Sequence, residues 1–385
     1  MYKRVLNIDL AREETVFLWG PRQAGKSTLL HSLFPESIYK DLLKSDVYMP
    51  LLNKPSLLRE ELEAAEIKRD TQKYPVIIDE VQKVPALLDE IHWLIENRGI
   101  RFVLCGSSAR KLKRDKANLL GGRAIRYELY PLVFPEIDDF DLQKALNNGL
   151  MPRHYLSKHP QRLLQSYIND YLKEEIYSES LTRNLPAFSR FLEVSALSNG
   201  ELINFSNIAS ECSISAPTVR EYYNITIDTL LGRFLPAFRK KSKRRQILAP
   251  KFYYFDVGVT SKLSFREKII QGSDCFGKAF EHFIINEVTA YASYSEKFFK
   301  LAYWKSASGF EVDLVLGDAE VIIEIKSATE IRSRHLKGMR AFKEEFNARK
   351  YLVVSLDKEP RKTSDSIEIL PWKNFLEQLW QGEIM

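Results

Sequence analysis

Residues 20 to 28 read Gly20-Pro21-Arg22-Gln23-Ala24-Gly25-Lys26-Ser27-Thr28. The first eight complete a G-x-x-x-x-G-K-S pattern. The apolar run Val16-Phe17-Leu18-Trp19 precedes it, and Thr28-Leu29-Leu30 opens a helix behind it. Strand, loop and helix in that order are the context the pattern requires. Gly20 and Gly25 let backbone amides close around a polyphosphate. Lys26 suits the β- and γ-phosphates, and the Ser27 hydroxyl suits Mg²⁺. The segment from Gly20 to Thr28 therefore predicts a site for ATP with Mg²⁺.

Outward from this loop, Pro75-Val76-Ile77-Ile78-Asp79-Glu80 is an apolar run ending in two acids. Such a run suits a parallel strand covered on both faces. Asp79 then holds Mg²⁺, directly or through water, and Glu80 polarises the water that attacks the γ-phosphate. Phe102-Val103-Leu104-Cys105-Gly106 reads as a further buried strand, ending at Ser107-Ser108. These hydroxyls either sense the γ-phosphate or cap a helix over Ala109-Arg110-Lys111-Leu112. In Leu119-Leu120-Gly121-Gly122-Arg123 the glycines predict a tight turn that exposes Arg123. That arginine is either a finger toward a γ-phosphate, in its own subunit or a neighbour's, or a surface residue at a turn.

GPRQAGKST, IIDEVQKVP, CGSSA and GGRAIRYELYPL occur in that order. The order resembles AAA-type P-loop ATPases, and in particular a prokaryotic family that joins such an ATPase to a C-terminal domain with a nuclease-like core. The resemblance covers nearly the whole chain.

Between residues 161 and 255, Leu163 to Glu179 and Phe188 to Leu197 show helical spacing. Phe205 to Cys212, the turn Ser213-Ile214-Ser215 and Ala216 to Tyr223 read as helix-turn-helix. Ile208, Ala209, Ile214 and Val219 would be its buried contacts, with Ser215 as N-cap and Pro217 in the first turn. Phe234 to Arg239 and Lys251 to Phe255 read as two strands. Between them lies Arg239-Lys240-Lys241-Ser242-Lys243-Arg244-Arg245. This is the layout of a winged helix with a basic wing. Arg220 on the second helix, and Lys240, Lys241, Lys243, Arg244 and Arg245 on the wing, would face DNA. A protein-interaction module with a solvated loop has the same layout.

The last 130 residues, 256 to 385, hold a second set of acids. Phe280 to Glu287 reads as a helix carrying Glu281. Tyr303-Trp304-Lys305 reads as a strand, and Glu311 to Leu316 with Val321 to Ser327 as a hairpin. Asp313 lies on its first strand; Glu324 and Lys326 share a face of the second, because strand side chains alternate. Two carboxylates can hold a divalent metal, and a lysine beside them can orient water. Glu281, Asp313, Glu324 and Lys326 in this order resemble the PD-(D/E)xK nuclease core, although Val312 stands where the leading proline would. A fold retained for binding, with Asp313 and Lys326 as an ion pair, carries the same residues.

The 385 residues carry a net charge of +6 and 45% hydrophobic side chains, the profile of a soluble multidomain protein. No apolar run approaches a membrane span. Cys105, Cys212 and Cys275 have no metal-ligand spacing and suit a reducing cytoplasm. The expected fold is α/β: an AAA-type P-loop ATPase domain over 1–160, a winged-helix domain over 161–255 and a nuclease-like α/β domain over 256–385. The expected function is ATP hydrolysis coupled to action on DNA, by a cytoplasmic homo-oligomer. Two alternatives accompany it: a nucleotide-controlled switch for a protein partner, and a metal-dependent nuclease gated by ATP.

Overall fold

The computed structural model describes residues 2–108, 110, 120–172, 184–241, 243–266 and 268–385. It divides into two compact units. One holds Lys3–Pro131 with Asp228–Leu231; the other holds Tyr2, Leu132–Ile227 and Gly232–Met385.

The first unit is built on five strands: β1 (Val16–Trp19), β2 (Tyr39–Asp41), β3 (Val76–Asp79), β4 (Phe102–Gly106) and β5 (Ile125–Glu128). All run parallel, in the order β2-β3-β4-β1-β5. Every residue of β1, β3 and β4 is buried, whereas the edge strands β2 and β5 are partly open. Continuous apolar runs thus occupy the centre of the sheet, as parallel strands covered on both faces require. Helices α1 (Lys26–Leu33), α2 (Ser45–Asn53), α3 (Leu57–Ala64) and α4 (Leu87–Arg98) accompany the strands. One core joins Leu58 and Leu62 of α3, Leu87, Ile91 and Leu94 of α4, and Ile78 and Leu104 of the sheet.

The second unit begins with α5 (Leu142–Asn148), α6 (Pro152–Tyr155) and α7 (Pro160–Ser166). Residues 132–160, expected in the first domain, pack here instead. Leu132, Phe140, Leu146 and Tyr155 share a core with Phe280 and Phe283. The single helix expected from Leu163 to Glu179 is α7 followed by a wider, π-helical turn over Tyr167–Leu172; its remainder lies outside the described residues. Next come α8 (Leu185–Leu197), α9 (Phe205–Cys212) and α10 (Ala216–Asp228), then the antiparallel pair β6 (Gly232–Leu235) and β7 (Lys251–Tyr254). Ser213, in the left-handed region at φ 55°, ends α9, and the Ser215 hydroxyl accepts the Thr218 amide at 3.3 Å as the expected cap. Ile208, Ala209 and Val219 are buried as expected; Ile214 is only half-buried.

Helices α11 (Val257–Leu263) and α12 (Asp274–Tyr294) lead into strands β8 (Leu301–Lys305), β9 (Glu311–Leu316) and β10 (Val321–Ile325). Helix α13 (Lys337–Lys343), strands β11 (Lys350–Ser355), β12 (Arg361–Lys362) and β13 (Glu368–Pro371), and helix α14 (Trp372–Trp380) complete the chain. The six strands β8 to β13 form a mixed sheet in the order β12-β13-β11-β10-β9-β8, with β10-β11 and β11-β13 parallel. Helix α12 buries Phe280, Phe283, Ile284 and Val288 in the same core as Ile323 of β10 and Phe375 and Leu376 of α14. No helix among the described residues is long and apolar enough to cross a membrane.

Candidate active site

The phosphate-type loop leaves β1 at Gly20 and enters α1 at Lys26. Gly25 stands at φ 96° and Gln23 at φ 62°. A Cβ at Gly20 would lie 2.5 Å from the Leu129 carbonyl oxygen, so only glycine fits against the chain leaving β5. The Arg4 guanidinium braces the loop from outside. It donates to the Ala24 carbonyl at 2.7 Å and to the Tyr130 carbonyl at 2.6 Å. Lys26 is buried and donates to the carbonyls of Gly20 at 2.7 Å and Pro21 at 3.1 Å. Its ammonium therefore lies within the curl of the loop.

Strand β3 ends at Asp79, across β4 from the loop. The Ser27 hydroxyl donates to Asp79 Oδ2 at 2.8 Å, and the Tyr39 hydroxyl donates to the same oxygen at 2.5 Å. Burial, then the hydrogen bond to Asp79, hold the Tyr39 phenol protonated well above its ordinary range. A hydroxyl and a carboxylate this close form an oxygen donor set that fits Mg²⁺. Ser27 and Asp79 would hold the ion, which would supply positive charge to the nucleotide's phosphates.

Glu80 is buried at φ 59°, a left-handed conformation that L side chains seldom take. Gln82 Nε2 donates to Glu80 Oε2 at 2.5 Å and to Ser107 Oγ at 3.3 Å. Gln82 thus links the acid after β3 to the hydroxyl after β4. Room for it comes from Gly106, where a Cβ would lie 2.4 Å from Gln82 Oε1. The two serines differ in environment. Ser107 faces Gln82, whereas Ser108 Oγ accepts the Arg110 amide at 3.1 Å, as a cap would. Ala109 and residues 111–119 of the expected helix lie outside the described residues.

Gly121 and Gly122 form the expected tight turn, at φ 54° and 84°. Arg123 follows it, half-exposed and paired with Glu96 in the last turn of α4. Parallel pairing sets Val16 against Ile125 and Trp19 against Glu128. Arg123 therefore lies at the opening end of the sheet and the loop at its closing end, about 13 Å apart at ~3.3 Å per strand residue. The finger toward the same subunit's phosphates does not match this geometry.

In the second unit the basic run is held down. Residues on either side of it hydrogen-bond along β8, Phe238 to Tyr303 and Ile247 to Lys305. Lys240 pairs with Asp318 at 2.9 Å, and Arg244 with Glu344 at 2.5 Å and Glu345 at 2.9 Å. The segment read as a basic wing thus runs along a sheet edge. Lys241, Lys243 and Arg245 remain exposed, as does Arg220, whose guanidinium lies 4.7 Å from the Phe205 ring centre. Ser242 lies outside the described residues.

The acids of the C-terminal sheet converge. Lys326 pairs with Glu324 at 2.6 Å and with Asp313 at 3.5 Å, and Asp313 also accepts the Ile325 amide at 2.7 Å. Glu281 accepts from the Tyr253 hydroxyl at 2.7 Å. Burial, then the Asp313 charge, lift the Glu324 carboxyl to about 8, and its Oε2 is buried without a hydrogen-bond partner. Burial also raises Glu281. Among the described residues no three His, Cys, Asp or Glu side chains gather as a metal cluster.

Lys251 and Glu311 join this pocket without belonging to any sequence motif. Lys251, only 4% exposed, pairs with Glu311 at 2.6 Å and approaches Glu281 at 3.6 Å. Burial works against its charge, but Glu281, Asp313 and Glu311 hold its pKa above the ordinary range. A signal is present in β7. Lys251 and Tyr253 alternate with Phe252 and Tyr254, so one strand face is polar although all four residues are buried.

Residues 12–138 match a family model described as an AAA domain. Residues 139–268 and 276–375 match two models described as domains of unknown function, DUF8612 and DUF4143. Uncharacterized proteins of Mycobacterium tuberculosis and Mycobacterium bovis are each 23% identical over 315 residues, covering 79% of this chain and 68% of theirs. Among solved structures, the Orc1 protein of Aeropyrum pernix in complex with DNA is similar at 12% identity and TM-score 0.26, over 66% of this chain and 86% of that one. A signal-transduction ATPase with a tetratricopeptide-repeat sensor from Pyrococcus horikoshii is similar at 14% identity and TM-score 0.22, over 74% and 49%. The N-terminal domain is an AAA-type P-loop ATPase domain.

Proposed function

We propose that this chain hydrolyses ATP and couples the hydrolysis to action on DNA, as a homo-oligomer. The observation that carries the ATPase reading is the meeting of Lys26, Ser27, Asp79 and Glu80 at one end of the sheet, with Gln82 and Ser107 beside Glu80. Lys26 binds the phosphates, Ser27 and Asp79 hold Mg²⁺, and Glu80 accepts the proton of the attacking water. Arg123, at the far end of the sheet, serves ATP bound by a neighbouring subunit. Three helices followed by an antiparallel strand pair support a winged-helix reading of the middle domain. Arg220, Lys241, Lys243 and Arg245 are exposed cations on it. The order α12, β8, β9, β10, with Glu281, Asp313, Glu324 and Lys326 on it, supports a nuclease-like fold for the last domain.

The test is linkage. In Glu80→Gln, which would bind ATP without consuming it, DNA affinity measured by fluorescence anisotropy should change with ATP, and ATP affinity should change with DNA by the same factor. Independence of the two ligands would contradict the reading.

One observation favours the alternative of a nucleotide-controlled switch for a protein partner. Lys240 and Arg244, two of the five wing cations, are already paired with acids of their own chain. That reading predicts ATP hydrolysis indifferent to DNA.

A further inference from the structure

The nuclease resemblance implies a divalent metal held by Asp313 and Glu324. The residues around them fit it poorly, because ammonium groups already serve the carboxylates. Lys326 serves Glu324 and Asp313, and Lys305 serves Glu311 at 2.6 Å. Lys251 serves Glu311 and Glu281 from a third direction. Four carboxyl groups thus meet three ammoniums. A divalent ion would bring the positive charges to five, and hard cations favour oxygen ligands without such neighbours.

Lys251 is not a surface lysine that can swing away. Its backbone is locked in β7, paired with Leu235 of β6 and bridged to Leu202. The next residue, Phe252, is anchored on the opposite face, 4.9 Å from the Tyr223 ring. Tyr253, on the same face as Lys251, reaches Glu281. Tyr303 lies under the Lys251 ammonium at 5.4 Å. The strand holds this side chain in the pocket by its own register.

We infer that the Lys251 ammonium is the permanent cation of the C-terminal acidic pocket, in place of the divalent metal implied by the resemblance, and that the domain therefore performs no metal-dependent phosphodiester cleavage. The inference concerns metal binding alone and is independent of the DNA reading, which salt dependence and ATP linkage test separately.

The experiment titrates Mn²⁺ into the full-length, nucleotide-free chain, with the free ion followed by electron paramagnetic resonance. Asp79→Asn removes the nucleotide-site carboxylate in every sample. The parent should bind Mn²⁺ no tighter than about 1 mM, the weak end for an oxygen-ligand site. Lys251→Met should gain a site at least about tenfold tighter, abolished again on adding Asp313→Asn. Lys251→Arg, which keeps the charge, should remain like the parent. Micromolar binding in the parent that requires Asp313 would overturn the inference. So would a folded Lys251→Met chain with no new site. If Lys251→Met does not fold, the parent and Lys251→Arg decide: Asp313-dependent binding in either overturns the inference, and its absence in both upholds it.

Discussion

Ser27 Oγ donates to Asp79 Oδ2 at 2.8 Å, joining a loop after β1 to the end of β3 across 52 positions of sequence. This hydrogen bond makes the loop and the acid strand one site. Lys26→Ala should abolish tight ATP binding, because the main positive charge on the β- and γ-phosphates is removed. Glu80→Gln should keep binding and lose hydrolysis, because only the proton acceptor is removed. Equilibrium binding and steady-state hydrolysis on both variants check this; wild-type turnover by Glu80→Gln would reassign the base.

Tyr39 holds the same Asp79 oxygen from β2. Tyr39→Phe should leave nucleotide affinity near wild type but raise the Mg²⁺ concentration for half-maximal hydrolysis roughly tenfold, the scale of one missing hydrogen bond to a charged group. Superimposable Mg²⁺ titrations would show that Tyr39 has no part in placing Asp79.

The pinned and the exposed cations of the basic run should behave differently. Replacing Lys241, Lys243 and Arg245 with Ala should weaken DNA binding and lower the log–log salt slope by about 0.9 for each phosphate no longer neutralised. Arg244→Ala should leave the slope nearly unchanged, because its guanidinium is engaged by Glu344 and Glu345. Equal slopes in all variants would move the DNA site elsewhere or favour a protein partner.

Arg123 should act between subunits. Inactive Arg123→Ala mixed with inactive Lys26→Ala should regain some ATPase activity, since mixed interfaces pair an intact loop with an intact arginine. No recovery despite demonstrated subunit exchange would leave Arg123 a structural partner of Glu96.

Burial lifts the Glu287 carboxyl from 4.5 to about 8, between the Trp380 indole and the Phe134 amide. The folded state therefore binds a proton that the unfolded chain has released. Stability from this group is full below pH about 4.5 and is lost as pH rises toward 8, by up to about 1.4 kcal/mol per pH unit. Denaturant unfolding at several pH values should show this decline. Glu287→Gln should flatten it whatever its effect on absolute stability; an unchanged slope would place the titration on another group.

The candidate nucleotide site is largely legible in the sequence because the residues that the structure brings together there sit in contiguous motifs. Gly20 to Thr28 and Asp79-Glu80 carry their meaning in local spacing. Tyr39 and Arg4 are not legible, because each reaches the site from another segment through packing alone; Gln82 lies inside IIDEVQKVP, but its contact with Ser107 carries no local mark. The helix-turn-helix elements follow from apolar spacing and the Ser215 cap. The fate of the basic run does not, since its partners Asp318, Glu344 and Glu345 lie about a hundred residues or fewer downstream and carry no local mark. Lys251 is marked only by the alternation it shares with Tyr253 in β7, because a lone lysine at the start of an aromatic strand otherwise reads as a surface residue. Only the neighbouring acids of α12 and β9 explain its burial.

The central claim is that DNA and ATP hydrolysis are coupled in one chain. Steady-state ATPase turnover, measured with and without duplex DNA at low and high salt, tests it most directly. The account predicts stimulation by DNA at low salt that fades as salt rises and disappears when Lys241, Lys243 and Arg245 are neutralised. Turnover that is unaffected by DNA at low salt, in a preparation that hydrolyses ATP, would contradict it.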